Sequence, residues 1–576
     1  MATERARTPR AAVLGLTGPH AAEDLVDLGW DDGAHNDLLW AMAGCGDPDL
    51  ALNTTVRLVA AIADAAGDAD AAPPAGVDKA GAAGAGARAG ELTAELTADE
   101  ALRVRFFALV GGSAALGDHL VAHAARWREL LGELPDRAEM LRSMLTAVEA
   151  RPAEFAEPAA DGREDPAAEN LETAGTYRAG LTGPEAGRAL KVAYRDLLTR
   201  VAAHDLAGTY PTTKRHPGGP TLPFATVTGL LSDLADAALT AALAVAVTSV
   251  YKDAPLDGRL AVIAMGKCGA RELNYISDVD VVFVVDEVSP KLTRLAGEFA
   301  RIGSKCFFDV DANLRPEGRS GALVRTLDSH VTYYKRWAET WEFQALLKNR
   351  PQTGYLPLGE DYHEQLAPMI WAASRRDDFV DDVQAMRSRV LESVPADLKD
   401  RELKLGRGGL RDVEFAIQLL QMVHGRSDES LRTTATVDAL GELVRGGYVG
   451  REDGHDLRDA YVFIRTLEHR LQLHRLRRTH TLPDPGDQDA WIWLARTAGF
   501  APDADGDSAD HLSHELRRVR RLVSELHSRL FYRPLLKSVV TLTVDALKLS
   551  PDAAKLQLGA LGYKFPGRAF EHLSLF

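Results

Sequence analysis

Two aspartates stand one residue apart at the beginning of an apolar segment, in the run Ser277-Asp278-Val279-Asp280. Side chains alternate between the two faces of a β-strand, so Asp278 and Asp280 are predicted to project to the same side while their neighbours face a core. Two adjacent carboxylates repel each other and are costly to bury unless a cation lies between them. The pattern therefore predicts a Mg²⁺ site at the edge of a strand.

A second acidic segment, Phe307–Arg315, reads FFDVDANLR and places Asp309, Asp311 and Asn313 on one face of a strand. A third carboxylate from such a neighbouring strand would allow two metal ions to hold a transferring phosphoryl group. A lone Asp-x-Asp pair is common at solvated strand ends. The ordered set of apolar strand, glycine loop, Ser-Asp-x-Asp and second acidic strand is more specific, and it indicates phosphoryl chemistry.

A loop with two glycines precedes the aspartates, and in it Gly266 and Gly269 bracket Lys267. Glycines let backbone amides approach a phosphate closely, although similar turns also occur without a ligand. Ser277 could donate a hydrogen bond to phosphate or simply begin the following strand. We interpret these four residues as a predicted phosphate site.

Basic residues downstream provide further phosphate candidates. Arg315 could contact phosphate or pair with Glu317. Lys348 and Arg350 precede Pro351 and could neutralise phosphate, but cations are also common near a helix end, where they complement the helix dipole. Both interpretations stay open for each of these three cations.

Four longer motifs follow one another between Leu260 and Gln421: GKCGARELNYISDVDVVFV, DANLRPEGRSGALVRTLDSH, YYKRWAETWEFQALLKNRP and KLGRGGLRDVEFAIQLLQ. At the aspartates the chain resembles the nucleotidyltransferase superfamily whose simplest member is DNA polymerase beta. Over all four motifs it is similar to the glutamine synthetase adenylyltransferase/adenylyl-removing enzymes. That resemblance implies two modules in tandem. One attaches AMP from ATP to a tyrosine of glutamine synthetase, and the other removes it with inorganic phosphate, releasing ADP.

The fourth motif contains the segment Gly406–Glu414, whose adjacent glycines permit an unusual backbone turn. Asp412 and Glu414 are predicted to open a helix, where the helix dipole alone would favour acids. The resemblance places this segment beside the active site. It implies that Arg411 could bind phosphate and that the two acids could orient water or phosphate.

The predicted fold class is α+β, with a polymerase-beta-like nucleotidyltransferase module (a short mixed sheet with helices) flanked by largely helical regions. One module is visible, and its ELNYISDVD wording resembles the amino-terminal, adenylyl-removing half of the family. The chain ends inside an apolar pattern, so we expect the natural chain to continue past Phe576. The expected organisation is a helical region over 1–225 with flexible insertions at 67–90 and 157–183, a catalytic domain over 226–400, a helical bundle over 401–532, and over 533–576 the start of a connection to a missing carboxy-terminal half.

The expected reaction is an in-line displacement at the phosphorus of AMP. Asp278, Asp280 and Asp311 would hold Mg²⁺ and so stabilise the charge of the transition state. Inorganic phosphate, already a competent nucleophile, would attack while the glycine loop and arginines hold it. The same chemistry run with ATP and tyrosine would add AMP, so the predicted direction rests on the resemblance.

Composition narrows the partners and the compartment. The net charge of 67 − 83 = −16 argues against broad nucleic-acid binding. One basic segment, Arg465–Arg478, is interpreted either as a helix with a solvated basic face or as a docking face for an acidic partner or a nucleotide phosphate. Three cysteines without metal-ligand spacing favour reduced thiols in the cytoplasm. No stretch approaches about 18 consecutive apolar residues, so we expect no membrane span.

The expected partners are glutamine synthetase with an adenylylated tyrosine, together with ATP or ADP and phosphate. The PII signal protein is a further candidate partner. Three alternative functions stay open beside AMP removal: ATP-dependent adenylylation, uridylylation of PII, and a non-catalytic regulatory module. A polynucleotide or tRNA nucleotidyltransferase would share the aspartates but should carry a basic surface, which the charge of −16 disfavours.

Overall fold

The computed structural model of the 576-residue chain describes residues 7–69, 90–157, 175–210, 221–531 and 567–568. Helices dominate these residues, and a small sheet lies between two groups of helices. The helices before the sheet are α1 (Ala21–Asp27), α2 (Asn36–Gly44), α3 (Pro48–Ala69), α4 (90–98), α5 (Glu100–Gly112), α6 (Ala114–Ala122), α7 (Trp127–Leu130), α8 (Arg137–Ala147), α9 (Gly183–Gly208) and α10 (Phe224–Tyr251).

The sheet has five strands and mixed direction, as predicted. Its backbone path runs β5-β4-β3-β7, and β6 also pairs with β4. The pairs β3–β4 and β3–β7 are antiparallel, whereas β4 is parallel to both β5 and β6. A separate two-stranded pair joins β1 (Arg151–Pro152) to β2 (Tyr177–Arg178). The five strands are β3 (Leu260–Ala264), β4 (Val279–Val285), β5 (Val310–Asp311), β6 (Val324–Thr326) and β7 (Arg350–Gly354).

The remaining helices connect the strands or follow the sheet. Those after β7 form a second helical group, which packs against the face of the sheet opposite α10. In chain order, the remaining helices, including those between the strands, are α11 (Gly266–Gly269), α12 (Pro290–Cys306), α13 (Leu327–Arg336), α14 (Thr340–Leu346), α15 (Leu356–Ala372), α16 (Phe379–Glu392), α17 (Leu410–His424), α18 (Thr436–Arg445), α19 (Arg451–Arg475), α20 (Gln488–Thr497) and α21 (Ser508–Phe531).

Both faces of the sheet are buried, and strand alternation divides them between two cores. In β4, Val281 and Phe283 belong to the core shared with the amino-terminal helices. Val282 and Val284 point the other way, into the core shared with the carboxy-terminal helices. The sheet therefore joins the two helical groups, and only the ends of its strands remain available for a polar site.

Helix α10 is the central helix of the first core and packs against α8, α9 and α12. By length and composition it could cross a membrane, but 94% of its most apolar window is buried inside the protein. Helices α5 and α6 would pass the same test only as one span, and they meet at 115°. A fully enclosed core helix has this composition because it is apolar on all sides.

The apolar periodicity of the sequence predicts helices over Pro184–Leu206 and Ala225–Tyr251, and these ranges fall within α9 and α10. The apolar pattern over Asn36–Val59 is divided between α2, which ends at Gly44 before the extended Cys45, and α3, which begins at Pro48. The predicted linker at 157–183 contains β2, whose residues are buried. The predicted insertion at 67–90 overlaps the end of α3, and most of it lies outside the described residues, as does the predicted connection at 533–576.

A buried ion pair ties the two helical groups together. Arg470 of α19 donates two hydrogen bonds to Asp205 of α9, at 2.6 and 2.9 Å. Tyr275 donates a third to the same carboxylate at 2.8 Å. Burial raises the pKa of Asp205, but Arg470 outweighs it and the pKa is lowered overall. The carboxylate therefore stays charged, and its stability depends on the arginine.

We predict that Arg470→Met lowers the free energy of unfolding by about 3–5 kcal/mol, because Asp205 would remain buried without its cation. Urea unfolding followed by circular dichroism measures the loss. The matched control is Arg458→Met on the same helix, where the arginine is half exposed and pairs with Asp459; it should cost less than about 1 kcal/mol. Equal small losses in both variants would show that the buried pair does not hold the helical groups together.

Candidate active site

A cleft of about 450 Å³ opens between the edge of the sheet and helices α14, α16 and α17. Carboxylates and cations line one part of it, and apolar side chains line the rest. This mixture suits a ligand with one charged and one apolar end. The lining residues are Gly266, Lys267, Ser277, Asp278, Asp280, Leu314, Trp341, Gln344, Ala345, Lys348, Met386, Val390, Ser393, Lys404, Leu405, Arg411, Glu414, Phe415 and Gln418.

Asp280 and Asp311 are direct neighbours across the parallel strands β4 and β5. Burial and the charges of Asp278 and Asp311 together raise the pKa of Asp280 to about 6. Within the described chain no lysine or arginine forms an ion pair with Asp280. The sheet therefore presents excess negative charge at its edge, as the strand pattern predicts.

Asp278 has a different environment although it shares that edge. Arg478 donates a hydrogen bond of 2.6 Å to its carboxylate, and Ser277 donates one of 3.3 Å. Burial opposes ionisation of Asp278, but Lys404 and Arg478 outweigh it and its pKa is lowered. Asp278 borders both the cleft and an adjoining cavity of about 390 Å³. The adjoining cavity is lined by Asp278, Ser304, Asp309, Val310, Asp311, Ala312, Asn313, Arg315 and Arg478.

The three aspartates fit a divalent cation in their chemistry. Carboxylate oxygens are the donors that Mg²⁺ prefers, and the pKa of Asp280 is raised by burial and by the charges of Asp278 and Asp311, which Lys404 and Arg411 offset only in part. Among the described residues, however, no group of three histidine, cysteine or acidic side chains already converges as a metal site. Asp278 turns towards Arg478 instead, so it would have to exchange that partner for the ion.

The glycine loop is shaped by its contact with the aspartates. Gly266 has a φ of +55°, and a Cβ there would lie 2.6 Å from a carboxylate oxygen of Asp280. A Cβ on Gly269 would overlap the carbonyl oxygen of Lys348. Close packing therefore requires both glycines, whether or not the loop binds phosphate. Only Gly266 lines the cleft.

Lys267 extends from this loop into the cleft, and a buried carboxylate binds its ammonium group. Its ammonium donates to the fully buried Glu468 at 3.4 Å. Burial lowers the pKa of Lys267 to about 7, against the opposing charge of Glu468. Burial also acts to raise the pKa of Glu468, but Lys267 and its other neighbours hold it well below the ordinary value.

One polar face of α19 fixes the loop that carries the site. Arg465 donates to the carbonyl oxygen of Glu272 at 2.7 Å and to Asn274 at 3.1 Å. Gln472 accepts a hydrogen bond from the backbone N–H of Ile276 at 3.0 Å. With Glu468 between them, these side chains lie on one side of the helix. They position the backbone between Lys267 and the aspartates.

This arrangement corrects the interpretation of Arg465–Arg478 as a solvated basic or docking face. Arg465 and Arg470 are buried and bind polar groups of the protein, and exposure begins only near the end of the helix. The sequence reading missed Glu468 and Gln472. The available signal was their spacing of three and seven residues from Arg465 among leucines.

The opposite wall of the cleft carries Lys348, Arg411 and Glu414, as predicted. Lys348 is buried and donates to Glu272 at 3.3 Å and to Thr436 at 2.9 Å. Arg411 donates to Glu414 at 2.8 Å. Burial raises the pKa of Glu414, but Arg411 and the cleft lysines prevail and lower it to about 2. Glu414 is therefore a carboxylate at neutral pH and holds Arg411 in place.

Five predicted residues do not line the cleft itself: Gly269, Asp311, Arg315, Arg350 and Asp412. The guanidinium of Arg315 borders the adjoining cavity but donates to the carbonyl oxygens of Ala312, Arg319 and Gly321, so it closes its own loop.

Arg350 is a residue of β7 and binds the carboxylate of Asp236 with two hydrogen bonds of 2.9 Å. Asp412 is buried and accepts from Arg387 at 2.6 and 2.8 Å and from the N–H of Gly408 at 2.6 Å. The structure therefore places Arg350 and Asp412 outside the cleft, where both residues hold the framework together.

The apolar part of the cleft was not predicted as a unit. Of the aromatic cluster after Asp328, Trp341 lines the cleft, whereas Tyr334 is buried in the core and Trp337 is 73% exposed. Phe415 faces the same space from α17. Lys404 is a further lining residue that sequence reading overlooked, although it begins the KLGRGGLRDVE motif.

A short mixed sheet that presents carboxylates at its edge to a cleft lined with lysine and arginine has the architecture of a polymerase-beta-like nucleotidyltransferase module. A family model described as glutamate-ammonia ligase adenylyltransferase matches residues 184–364. A second model, described as GlnD PII-uridylyltransferase, matches residues 384–531. By sequence the chain is similar to proteins named bifunctional glutamine synthetase adenylyltransferase/adenylyl-removing enzyme, the family that its four motifs resemble.

Relatives with that name match the chain almost from end to end. The one from Corynebacterium glutamicum is 58% identical over 98% of this chain and 52% of its own length. Those from Nocardia farcinica and Mycobacterium tuberculosis are 53% and 48% identical over 99% and 100% of this chain, again with 52% of their own length. The chain thus spans about half the length of these relatives.

We predict that Asp280→Asn stabilises the folded chain at alkaline pH in chelator-treated buffer. The folded-state pKa of about 6 exceeds the ordinary value of 3.8, so the folded protein binds this proton more tightly than the unfolded chain does. The stability from that proton is complete below about pH 4 and is lost as the pH rises through 6.

Asparagine cannot ionise, so the variant should gain up to about 3 kcal/mol at pH 8 and almost nothing at pH 4. Thermal melts across this pH range measure the difference. Glu287→Gln, at an exposed position just beyond β4, is the control and should show no such pH dependence. A constant difference at every pH would contradict the assigned charge repulsion.

Proposed function

We propose that this chain removes AMP from the adenylylated tyrosine of glutamine synthetase by phosphorolysis, taking up inorganic phosphate and releasing ADP. The observation that carries the proposal is the Asp280–Asp311 pair at a strand edge, where Asp280 lines the cleft together with lysine and arginine side chains and Asp311 lines the adjoining cavity. The carboxylates suit a divalent cation, and the lysines and arginine suit phosphoryl oxygens. The printed names of the relatives support the target protein, and the ELNYISDVD motif supports the direction.

Asp278, Asp280 and Asp311 are the residues that would hold Mg²⁺. When bound, that ion neutralises charge on the transferring phosphoryl group. Asp280, whose pKa is raised to about 6, would be held in its charged form by such an ion. Release of Asp278 from Arg478 would complete the set.

The other residues of the cleft would bind and orient the substrates. Lys267 and Arg411 are held by Glu468 and Glu414, so their positive charges stand in fixed positions before the substrate arrives. Trp341 and the other apolar lining residues offer a surface for the adenine ring. No protein nucleophile is needed, because phosphate itself attacks the phosphorus.

A second candidate function is uridylylation of the PII signal protein. The observation in its favour is that residues 384–531, which match the PII-uridylyltransferase model, supply Lys404, Arg411 and Glu414 to the cleft. The same site would then use UTP. A third reaction, transfer of AMP from ATP to a tyrosine of glutamine synthetase with release of pyrophosphate, would use the same groups. We place all three reactions in the cytoplasm, where the three free cysteines would stay reduced.

We predict that this chain, incubated with adenylylated glutamine synthetase, Mg²⁺ and phosphate, releases ADP. Asp278→Asn and Asp280→Asn should each lower the rate by about a hundredfold or more, since loss of a few kcal/mol of transition-state stabilisation has that effect. Chromatographic detection of ADP measures the rate. Glu287→Gln removes an exposed charge beyond β4 and should leave the rate unchanged.

Radiolabelled nucleotides separate the alternatives. Label transferred from ATP to unmodified glutamine synthetase, without phosphate-dependent release of ADP, would reverse the direction. Label transferred from UTP to PII would replace the target. Unchanged ADP release in both aspartate variants would refute the site itself.

A further inference from the structure

Four cations line the cleft, and three of them are already neutralised by protein carboxylates. Lys267 donates to Glu468, Lys348 to Glu272, and Arg411 to Glu414. Two of these partners, Glu272 and Glu468, lie behind the cleft wall rather than in it. The three pairs therefore fix the shape of the site, while most of their charge is balanced within the protein.

The fourth cation, Lys404, has no such partner within the described chain. Its side chain makes none of the ion pairs recorded there, and yet it lines the cleft. Of the cations that act to lower the pKa of Asp278 and of Asp280, Lys404 has the largest effect on each. Lys404 thus lines the same cleft as the two carboxylates and forms an ion pair with neither of them.

The backbone around Lys404 is rigid, so the side chain starts from a fixed point. Its N–H donates to the carboxylate of Glu402 at 3.0 Å, and its carbonyl oxygen accepts from the N–H of Arg411 at 2.9 Å. Gly408, with a φ of +69°, packs against the backbone of Arg520 with no room for a side chain. Lys404 and Arg411 are thus presented from paired backbone positions.

In-line displacement requires that the nucleophile and the leaving group lie on opposite sides of the phosphorus. Asp278 is the residue shared by the cleft and the adjoining cavity, so a phosphorus held there has one space on each side. The cleft contains the cations and the apolar wall, which suit a nucleotide. The adjoining cavity is left for the tyrosine of the protein substrate.

We infer that Lys404 binds an anionic oxygen of the phosphate that attacks the AMP phosphorus. In the product, the same phosphate is the β-phosphate of ADP. This inference rests on the proposed function. The bond between the AMP phosphorus and the tyrosyl oxygen breaks as a phosphate oxygen forms its bond to phosphorus. The proton of hydrogen phosphate passes to the tyrosyl oxygen, and tyrosine and ADP leave. Lys404 thus distinguishes ADP from AMP.

Calorimetric titration with ADP and with AMP tests the assignment without any turnover. Lys404→Met should weaken ADP binding at least tenfold and leave AMP binding within about twofold, whereas Lys404→Arg should retain most of the preference for ADP. Lys399→Met removes the same charge from an exposed position five residues away and should bind both nucleotides as the wild type does. Thermal melts verify that each variant is folded.

With adenylylated glutamine synthetase, Lys404→Met should also raise the KM for phosphate at least tenfold. Equal losses for ADP and AMP would overturn the inference, because Lys404 would then contact the part common to both. It would also be overturned by no loss for either nucleotide, or by a wild type that does not prefer ADP. A wild type that prefers ADP through Lys404 but releases none from adenylylated glutamine synthetase would refute the proposed function and support the subsite.

Discussion

The polar face of α19 determines where the catalytic loop lies. Arg465 and Gln472 form hydrogen bonds to the backbone that leads to the aspartates, and Glu468 between them binds Lys267; Arg465 and Glu468 are charged groups with no exposed side-chain surface. Charges buried so deeply are stable only when every partner is present, so the loop, the helix and Lys267 form one unit. The geometry of the strand edge depends on this unit, since the loop leads directly into β4.

The electrostatics of the site follow from how unevenly cations are distributed around its carboxylates. Glu414 and Glu468 are buried yet strongly acidic, because each has a cation at hydrogen-bonding distance. Asp280 is less deeply buried, but it faces two other aspartates and has a raised pKa. Glu414 and Glu468 are thus paired with cations within the protein, whereas Asp280 at the strand edge has no ion-pair partner among the described residues. This arrangement is usual where binding or catalysis requires an incoming ion.

Local pattern predicted the parts of this site whose geometry is local. Strand alternation gave the shared face of Asp278 and Asp280, and the apolar periodicity gave α9 and α10, because both depend only on neighbouring residues. The strand register that places Asp280 beside Asp311 could not be predicted from the sequence and is seen only in the structure. Glu468 and Gln472 were missed because their partners Lys267 and Ile276 lie 201 and 196 residues away.

The sequence also indicated Arg350 and Asp412 as site residues, whereas the structure places both outside the cleft. A charged residue beside a glycine-rich motif has the same appearance in sequence whether it meets a ligand or a buried counter-charge, and here Asp236 and Arg387 provide the counter-charges. Lys404 was overlooked because a single lysine carries no periodic signal. Its importance comes from the absence of an ion-pair partner among the described residues, which is visible only in three dimensions.

The amino-terminal helices also touch α19 directly. Ser113 donates a hydrogen bond of 2.5 Å to the carbonyl oxygen of Leu473, one residue beyond Gln472, and Asp205 holds Arg470 between Glu468 and Gln472. Loss of activity in a deletion variant of this chain therefore has more than one explanation. A truncation that removes α6 or α9 would inactivate the site because α19 would lose contacts that support it. Such a result would not show whether the deleted segment recognises a substrate or a regulator.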